Sequence, residues 1–399
     1  VEDSPPAKAD LLARKADRHL RSGSYAQAME EAESAANIAS ECEAPRVEAD
    51  ALRIISEIYE KLGQYDEGLD VARRGLSVAE RLGERSLACR IIISTAHNHL
   101  TRGRYAEALG IYQPIVADSA RNRNPWIERL ANNHLAQIYT CIGEFETAMQ
   151  HSMACARLCE IDQDMARAGD NLAAWGSILS QVGQFQEAQD RFSEALALQD
   201  TSNSQWGKIL TQVHAGANLA LLGDTDEALR LVSQSVEQAQ ALKTPYLETT
   251  GAIALAGIFL QRGTKADLEK AQSLCQETAS LAREGGLAGA QALALSRQAE
   301  ALRRRGNHQR GLVISRSAIN ILDRQQHVEG AEEEILLHHY LLLRAHESPD
   351  ADRCLERASR SMERKLKGLR SHSWRQSYCE EVPVNIAIIE ALEEMEETQ

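Results

Sequence analysis

The chain lacks the usual marks of an enzyme. It has no phosphate loop of the Gly-x-x-x-x-Gly-Lys-Ser/Thr type and no Gly-x-Ser-x-Gly elbow, so two familiar routes to nucleotide hydrolysis and acyl transfer are missing. It has no Cys-x-x-Cys pair, although it carries eight cysteines: Cys42, Cys89, Cys141, Cys155, Cys159, Cys275, Cys354 and Cys379. These read as free, often buried thiols of a reducing cytoplasm and not as a disulfide framework. Long hydrophobic runs are missing too. The longest, Gly251 to Leu260, falls far short of the ~20 residues a spanning helix needs. No signal peptide is visible, and the opening Val-Glu-Asp-Ser-Pro-Pro, acidic and without Met, reads as a segment of a longer protein. A basic excess is absent: 44 Lys and Arg face 58 Asp and Glu, a formal charge of −14. That disfavours sequence-independent nucleic-acid binding and mildly favours basic partners. The expectation is a cytoplasmic, non-enzymatic protein with no cofactor, no metal, no nucleic-acid partner and no membrane partner.

What the chain does have is a repeat. Gly, any residue, usually Tyr or Phe, two polar residues and then Ala recur at Gly23, Gly63, Gly103, Gly143, Gly183, Gly223, Gly263 and Gly306. The first six intervals are forty residues and the last is forty-three. The seventh unit carries three extra residues before its Ala271. A fixed period of this length is the mark of a stacked array. Ahead of each glycine the apolar residues run at helical spacing, as in Leu52, Ile55, Ser56 and Tyr59. Behind it a second helix follows, with Ala108, Tyr112 and Ile115 on one face in the third unit. Each unit is therefore a helix pair turning at a glycine, which adopts left-handed backbone without a Cβ penalty. The small residue five places on (Ala28, Gly68, Ala108, Ala148, Ala188, Ala228, Gly311) lets the two helices approach closely. One pair cannot bury its own apolar face, so neighbours must stack.

This pattern resembles the tetratricopeptide repeat (TPR). The small residue that family carries in the first helix stands here as Ser56, Ala96, Ala136, Gly176, Gly216, Ala256 and Ala299. The common repeat has 34 residues. The longer unit here is similar to the long-repeat arrays of MalT-like regulators and of bacterial signalling ATPases and kinases. The stretch Ser373 to Pro383 resembles the end of such arrays. The resemblance implies an all-α, right-handed superhelical solenoid of about eight to nine antiparallel helix pairs, with a capping helix at its C-terminus.

Along the chain, residues 1–7 read as a disordered lead-in and 8–345 as the solenoid. Residues 346–399 read as a degenerate ninth hairpin, turning at Ser348-Pro349-Asp350, followed by an acidic capping helix from about 383. The ninth hairpin's basic helix carries Arg353, Arg357, Arg360, Arg364, Lys365 and Lys367, and the glutamates of the capping helix are expected to lie near it. Pro114 predicts a kink or local break in the second helix of unit three.

In TPR arrays the first helix of each unit lines the concave face. Carried over position by position, the candidate groove residues are Arg53, Glu57, His97, Thr101, Asn133, His134, Gln137, Ser177, Gln181 and His214, with Ser296, Arg297 and Glu300 closing the series. The middle of this groove is polar but uncharged, and Asn and Gln amides can pair with an extended peptide backbone as donor and acceptor. A carboxylate clamp is not expected, Arg53 being the one weak candidate for it. His97, His134 and His214 come from three units, and a solenoid groove is expected to be too wide for them to share an ion. His151, Cys155 and Cys159 share one helix face and read as packing residues. The sequence thus points to an interaction module that binds a protein or peptide in its groove, as the regulatory part of a larger signalling protein, bacterial by resemblance. The flanking domains of the same polypeptide are possible partners. The alternative is a small-ligand-sensing array that controls an effector domain.

Overall fold

In a computed structural model, which describes residues 4–122, 124–162, 165–202, 204–325 and 327–398, helices follow one another with no strand among the described residues. They come in pairs. The first five are α1 (Pro5–Arg21) with α2 (Tyr25–Glu41), α3 (Pro45–Lys61) with α4 (Tyr65–Arg81), α5 (Arg85–Thr101) with α6 (Tyr105–Arg121), α7 (Pro125–Ile142) with α8 (Phe145–Asp162), and α9 (Met165–Gln181) with α10 (Phe185–Ser202). Then come α11 (Gln205–Leu221) with α12 (Thr225–Leu242), α13 (Pro245–Arg262) with α14 (Lys265–Glu284), α15 (Ala288–Arg304) with α16 (His308–Gln325), and α17 (Glu332–Ala345) with α18 (Ala351–Gly368). A short α19 (His372–Glu380) and a terminal α20 (Pro383–Thr398) complete the chain.

Helix boundaries follow local chemistry. Pro45, Pro125 and Pro245 each open a first helix, where a missing N–H costs nothing. The Asp224 side chain accepts from the Glu227 N–H and caps α12. Every glycine of the repeat has positive φ. The small residues after them are fully buried: Ala28, Ala108, Ala148, Ala188, Ala228 and Ala271 all show 0% exposure.

Each odd-numbered helix up to α17 also packs on the next odd-numbered one, whereas successive even-numbered helices up to α18 scarcely meet. The array therefore curves with its odd helices inside. Two asparagines fix the same register between units. Asn98 Nδ2 donates to the Tyr65 carbonyl at 2.9 Å, and Asn218 Nδ2 donates to the Phe185 carbonyl at 2.8 Å.

The curve is tight enough to bring distant repeats together. The turn of the second pair meets the start of the seventh, where a β-carbon on Gly63 would lie 2.9 Å from Pro245. Leu62 and Leu242 belong to one apolar cluster. The turn of the fourth pair meets Lys365, and that of the fifth meets Ser377, so successive superhelical turns touch along a seam.

Three expectations need correction. Pro114 neither breaks nor ends α6, which runs continuously through it. Pro114 and Gly110, four residues before it, both face solvent, so the carbonyl freed by the proline can be hydrated. The helix begins at Pro5, inside the expected lead-in, while residues 1–3 lie outside the described residues. Helix α20 lies against α18, but among the described residues no ion pair joins its glutamates to the α18 cations: Glu394 pairs with Arg344 of α17 at 2.8 Å. The cations of α18 find other partners, Arg357 with Asp323 and Lys365 with Glu332 and Glu333. Helix α20 packs on α17, α18 and α19.

Candidate functional site

The inner face of the odd helices divides into two ion-paired ends and an uncharged middle. At the N-terminal end, Arg53 is 3% exposed and meets three carboxylates: Asp50 at 2.8 Å, Glu57 at 2.6 Å and Asp17 of α1 at 3.2 Å. Arg90 of α5 also reaches Asp50, at 3.3 Å. Burial acts to lower the Arg53 guanidinium, but its carboxylates win and raise it further. Arg53 is thus saturated from within and cannot serve as a carboxylate clamp, and Glu57 is spent on it.

At the C-terminal end the arrangement recurs. Arg297 pairs with Glu334 at 2.7 Å and donates to the Ile253 carbonyl at 2.6 Å. Glu300 takes both Arg303 and Arg304. Burial pushes the Glu300 carboxyl up, but Arg303 and its neighbours hold it down at about 2. Ser296 bonds His338 at 2.9 Å.

The middle behaves differently. His97 bonds Glu60 at 2.7 Å, and its ring lies 4.9 Å from that of His134. Histidines of neighbouring units therefore do meet, because odd helices pack directly, contrary to the expectation of a wide groove. His134 stacks on Tyr112 at 5.2 Å. His214 is elsewhere, stacked on Phe192 at 6.4 Å, and burial pushes it down to about 4. Among the described residues no group of His, Cys, Asp or Glu is placed to hold a metal. The hydroxyls of Thr101 and Ser177 turn back onto their own helices, to the carbonyls of His97 and Ala173. Asn133 is buried, and its Oδ1 has no partner. Gln137 is half-buried and Gln181 exposed, and among the described residues neither amide has a hydrogen-bond partner. Of the ten candidates, these two offer accessible, unspent polar groups.

Sequence reasoning missed Trp206. It opens α11, stacks on Tyr246 at 5.9 Å, lies under the Lys61 ammonium at 4.0 Å and presents to His97 at 6.2 Å. Unit six thereby reaches across the interior to units two and three. Buried Glu60, between His97 and Lys61, was missed as well. Burial raises its carboxyl, but His97 and Lys61 hold it at about 2. His151 stacks on Tyr139 and bonds Asn132, and Cys155 and Cys159 are buried thiols outside any disulfide.

No family model and no curated protein matches the chain. Solved structures do match. A Rap protein complexed with competence and sporulation factor aligns at TM-score 0.59 and 11% identity, over 88% of this chain and 99% of that one. The Cut9–Hcn1 hetero-tetramer of the APC/C aligns at TM-score 0.57 and 13% identity, over 92% and 73%. The human IFIT1 dimer with m7Gppp-AAAA aligns at TM-score 0.52 and 15% identity, over 100% and 90%. The fold is that of a tetratricopeptide-repeat array. In this TPR array the first helices line the inside, and no helix among the described residues is long and apolar enough to cross a membrane.

Proposed function

We propose that this TPR array is a protein–protein interaction module. It holds a peptide or protein segment against the inner face of its middle repeats, as the regulatory part of a larger signalling protein. The observation that carries this reading is the pair of unspent amides, Gln137 on α7 and Gln181 on α9, between two ends whose charges are consumed internally. A primary amide can donate to and accept from a peptide backbone at once. Similarly folded proteins are described with bound partners, a competence and sporulation factor in one case and Hcn1 in another. The third is described with m7Gppp-AAAA, but a charge of −14 here favours a neutral or basic segment over a polyanion.

The test is selection of peptides from a random displayed library, followed by affinity measurement on wild type and on a Gln137→Ala/Gln181→Ala variant. The double change should weaken binding by about 1–3 kcal/mol, at 0.5–1.5 for each lost hydrogen bond. Equal affinity for both proteins would move the interface off the inner face.

One observation supports a second reading, a small-ligand sensor controlling an effector domain. Trp206 crosses the interior to Lys61 and His97, which leaves less room for a long segment. In that case peptide selection fails, and a small ligand changes the small-angle scattering curve of the array.

A further inference from the structure

The seam between superhelical turns contains a carboxyl group with nothing to pair with. Glu329 lies in the connection between α16 and α17, in left-handed backbone at φ +49°, followed by Gly330 at φ +78°. A non-glycine residue there is strained. The connection is pressed against repeats half the array away. A β-carbon on Gly330 would lie 3.5 Å from Gln181 Oε1 and 3.6 Å from the Thr140 carbonyl. On the other side, Glu329 Oε1 would be 3.2 Å from a β-carbon on Gly289 of α15.

The groups facing Glu329 from each neighbouring element are known. From α6 comes Tyr105 and from α7 Cys141, which hydrogen-bond each other. From α13 comes Tyr246. None of these carries positive charge. Lys365 of α18 reaches the same connection, but its ammonium is already shared by Glu332 at 2.8 Å, Glu333 at 2.6 Å and the Gly330 carbonyl at 2.9 Å. His327, in the same connection, bonds Glu332 at 3.1 Å. Among the described residues Glu329 has neither a hydrogen-bond nor an ion-pair partner.

We infer that Glu329 makes closure of the superhelix depend on protons: the 327–331 connection seats against units four and five when its carboxyl is neutral and lifts away when it is ionised. Glu329 is half-buried at the seam, and that partial burial supports the direction, raising the group from an ordinary 4.5 to about 7 in the seated state. A lifted connection puts the carboxyl in water, where it ionises at its ordinary value. Protons therefore favour the seated state. Its population relative to the lifted state is highest below about pH 4.5 and falls until the seated carboxyl ionises near 7. Between pH 5.5 and 8 the ratio should fall up to roughly thirty-fold.

The experiment is amide hydrogen exchange of segment 327–331 from pH 5.5 to 8, corrected for the intrinsic rate, on wild type and on Glu329→Gln. Opening should rise in wild type with a midpoint near 7 and stay flat in the variant. A flat wild type overturns the inference. So does an unchanged rise in Glu329→Gln, which would assign the titration to another group. Should the variant fold poorly, the carbon-13 shift of the Glu329 carboxyl in the unaltered protein decides. A titration midpoint near 4.5 overturns the proposal, and one near 7 supports it.

Discussion

The Ser377 hydroxyl donates to the Val182 carbonyl at 2.6 Å, across a seam that joins α19 to the turn of the fifth helix pair. Gln184 Nε2 donates to the same Ser377 oxygen at 2.8 Å. Beside them Tyr378 packs on Phe145 at 6.1 Å, and Glu146 accepts the N–H groups of Arg370 and Ser371. A nine-residue helix thus ties two superhelical turns together.

Glycine substitutions should measure that seam. Gly183 and Gly223 hold equivalent positions with φ +83° and +92°. A β-carbon on Gly183 would lie 2.5 Å from the Ser377 carbonyl oxygen, while one on Gly223 would meet nothing within 4 Å. Gly223→Ala should cost about 1–2 kcal/mol for left-handed backbone alone. Gly183→Ala should cost about 1–3 kcal/mol more, or release α19. Urea unfolding with hydrogen exchange of 370–381 tests this, and equal costs would mean the seam contributes little.

Arg53 should be costly to remove. Its loss leaves Asp17, Asp50 and Glu57 facing one another, with Arg21 on Asp17 and Arg90 on Asp50 as the remaining compensation. The carboxylates keep some water, so Arg53→Met should lose about 3 kcal/mol, the lower end for a broken buried pair. A loss under about 1 kcal/mol in denaturant titration would show a surface-like pair.

Acid should weaken the array in two windows. His214 is held neutral down to about 4 by burial, while its unfolded form gains a proton below its ordinary 6.5. Its contribution is complete above 6.5 and is lost as pH falls toward 4. Glu60, depressed from 4.5 to about 2, keeps its contribution above 4.5 and loses it as pH falls toward 2. Thermal melts across pH should show His214→Leu flattened in the upper window and Glu60→Gln in the lower. Parallel curves for wild type and variants would refute both assignments.

The small positions should reject large side chains. Ala148 is 0% exposed between the helices of the fourth pair. Ala148→Leu should cost about 1–3 kcal/mol by overpacking. A fully stable variant, judged by urea midpoint, would mean the pair has spare room.

Much of the fold was legible because a repeat restates its own rules. The glycine turn, the small residue five places on and the helical spacing of apolar side chains recur in phase, so each unit confirms the others. The inner-face residues were harder to weigh. Glu57 and Gln137 occupy the same position, six residues before the turn glycine, yet one is spent on Arg53 and the other is free. Asn133 looked available and is buried, because odd helices pack on one another more closely than position alone reveals. The α20 glutamates looked complementary to the α18 cations, but helix orientation gave each other partners.

By itself, the sequence determined the helix pairs, their turns and their stacking, since these depend on residues within one or two repeats of each other. Tertiary structure alone decided how tightly the array winds. Small rotations at each unit interface add up over many repeats, and no single repeat encodes the sum. That sum sets Trp206 against Lys61 and His97, Ser377 against Val182 and Glu329 beside Tyr105 and Cys141.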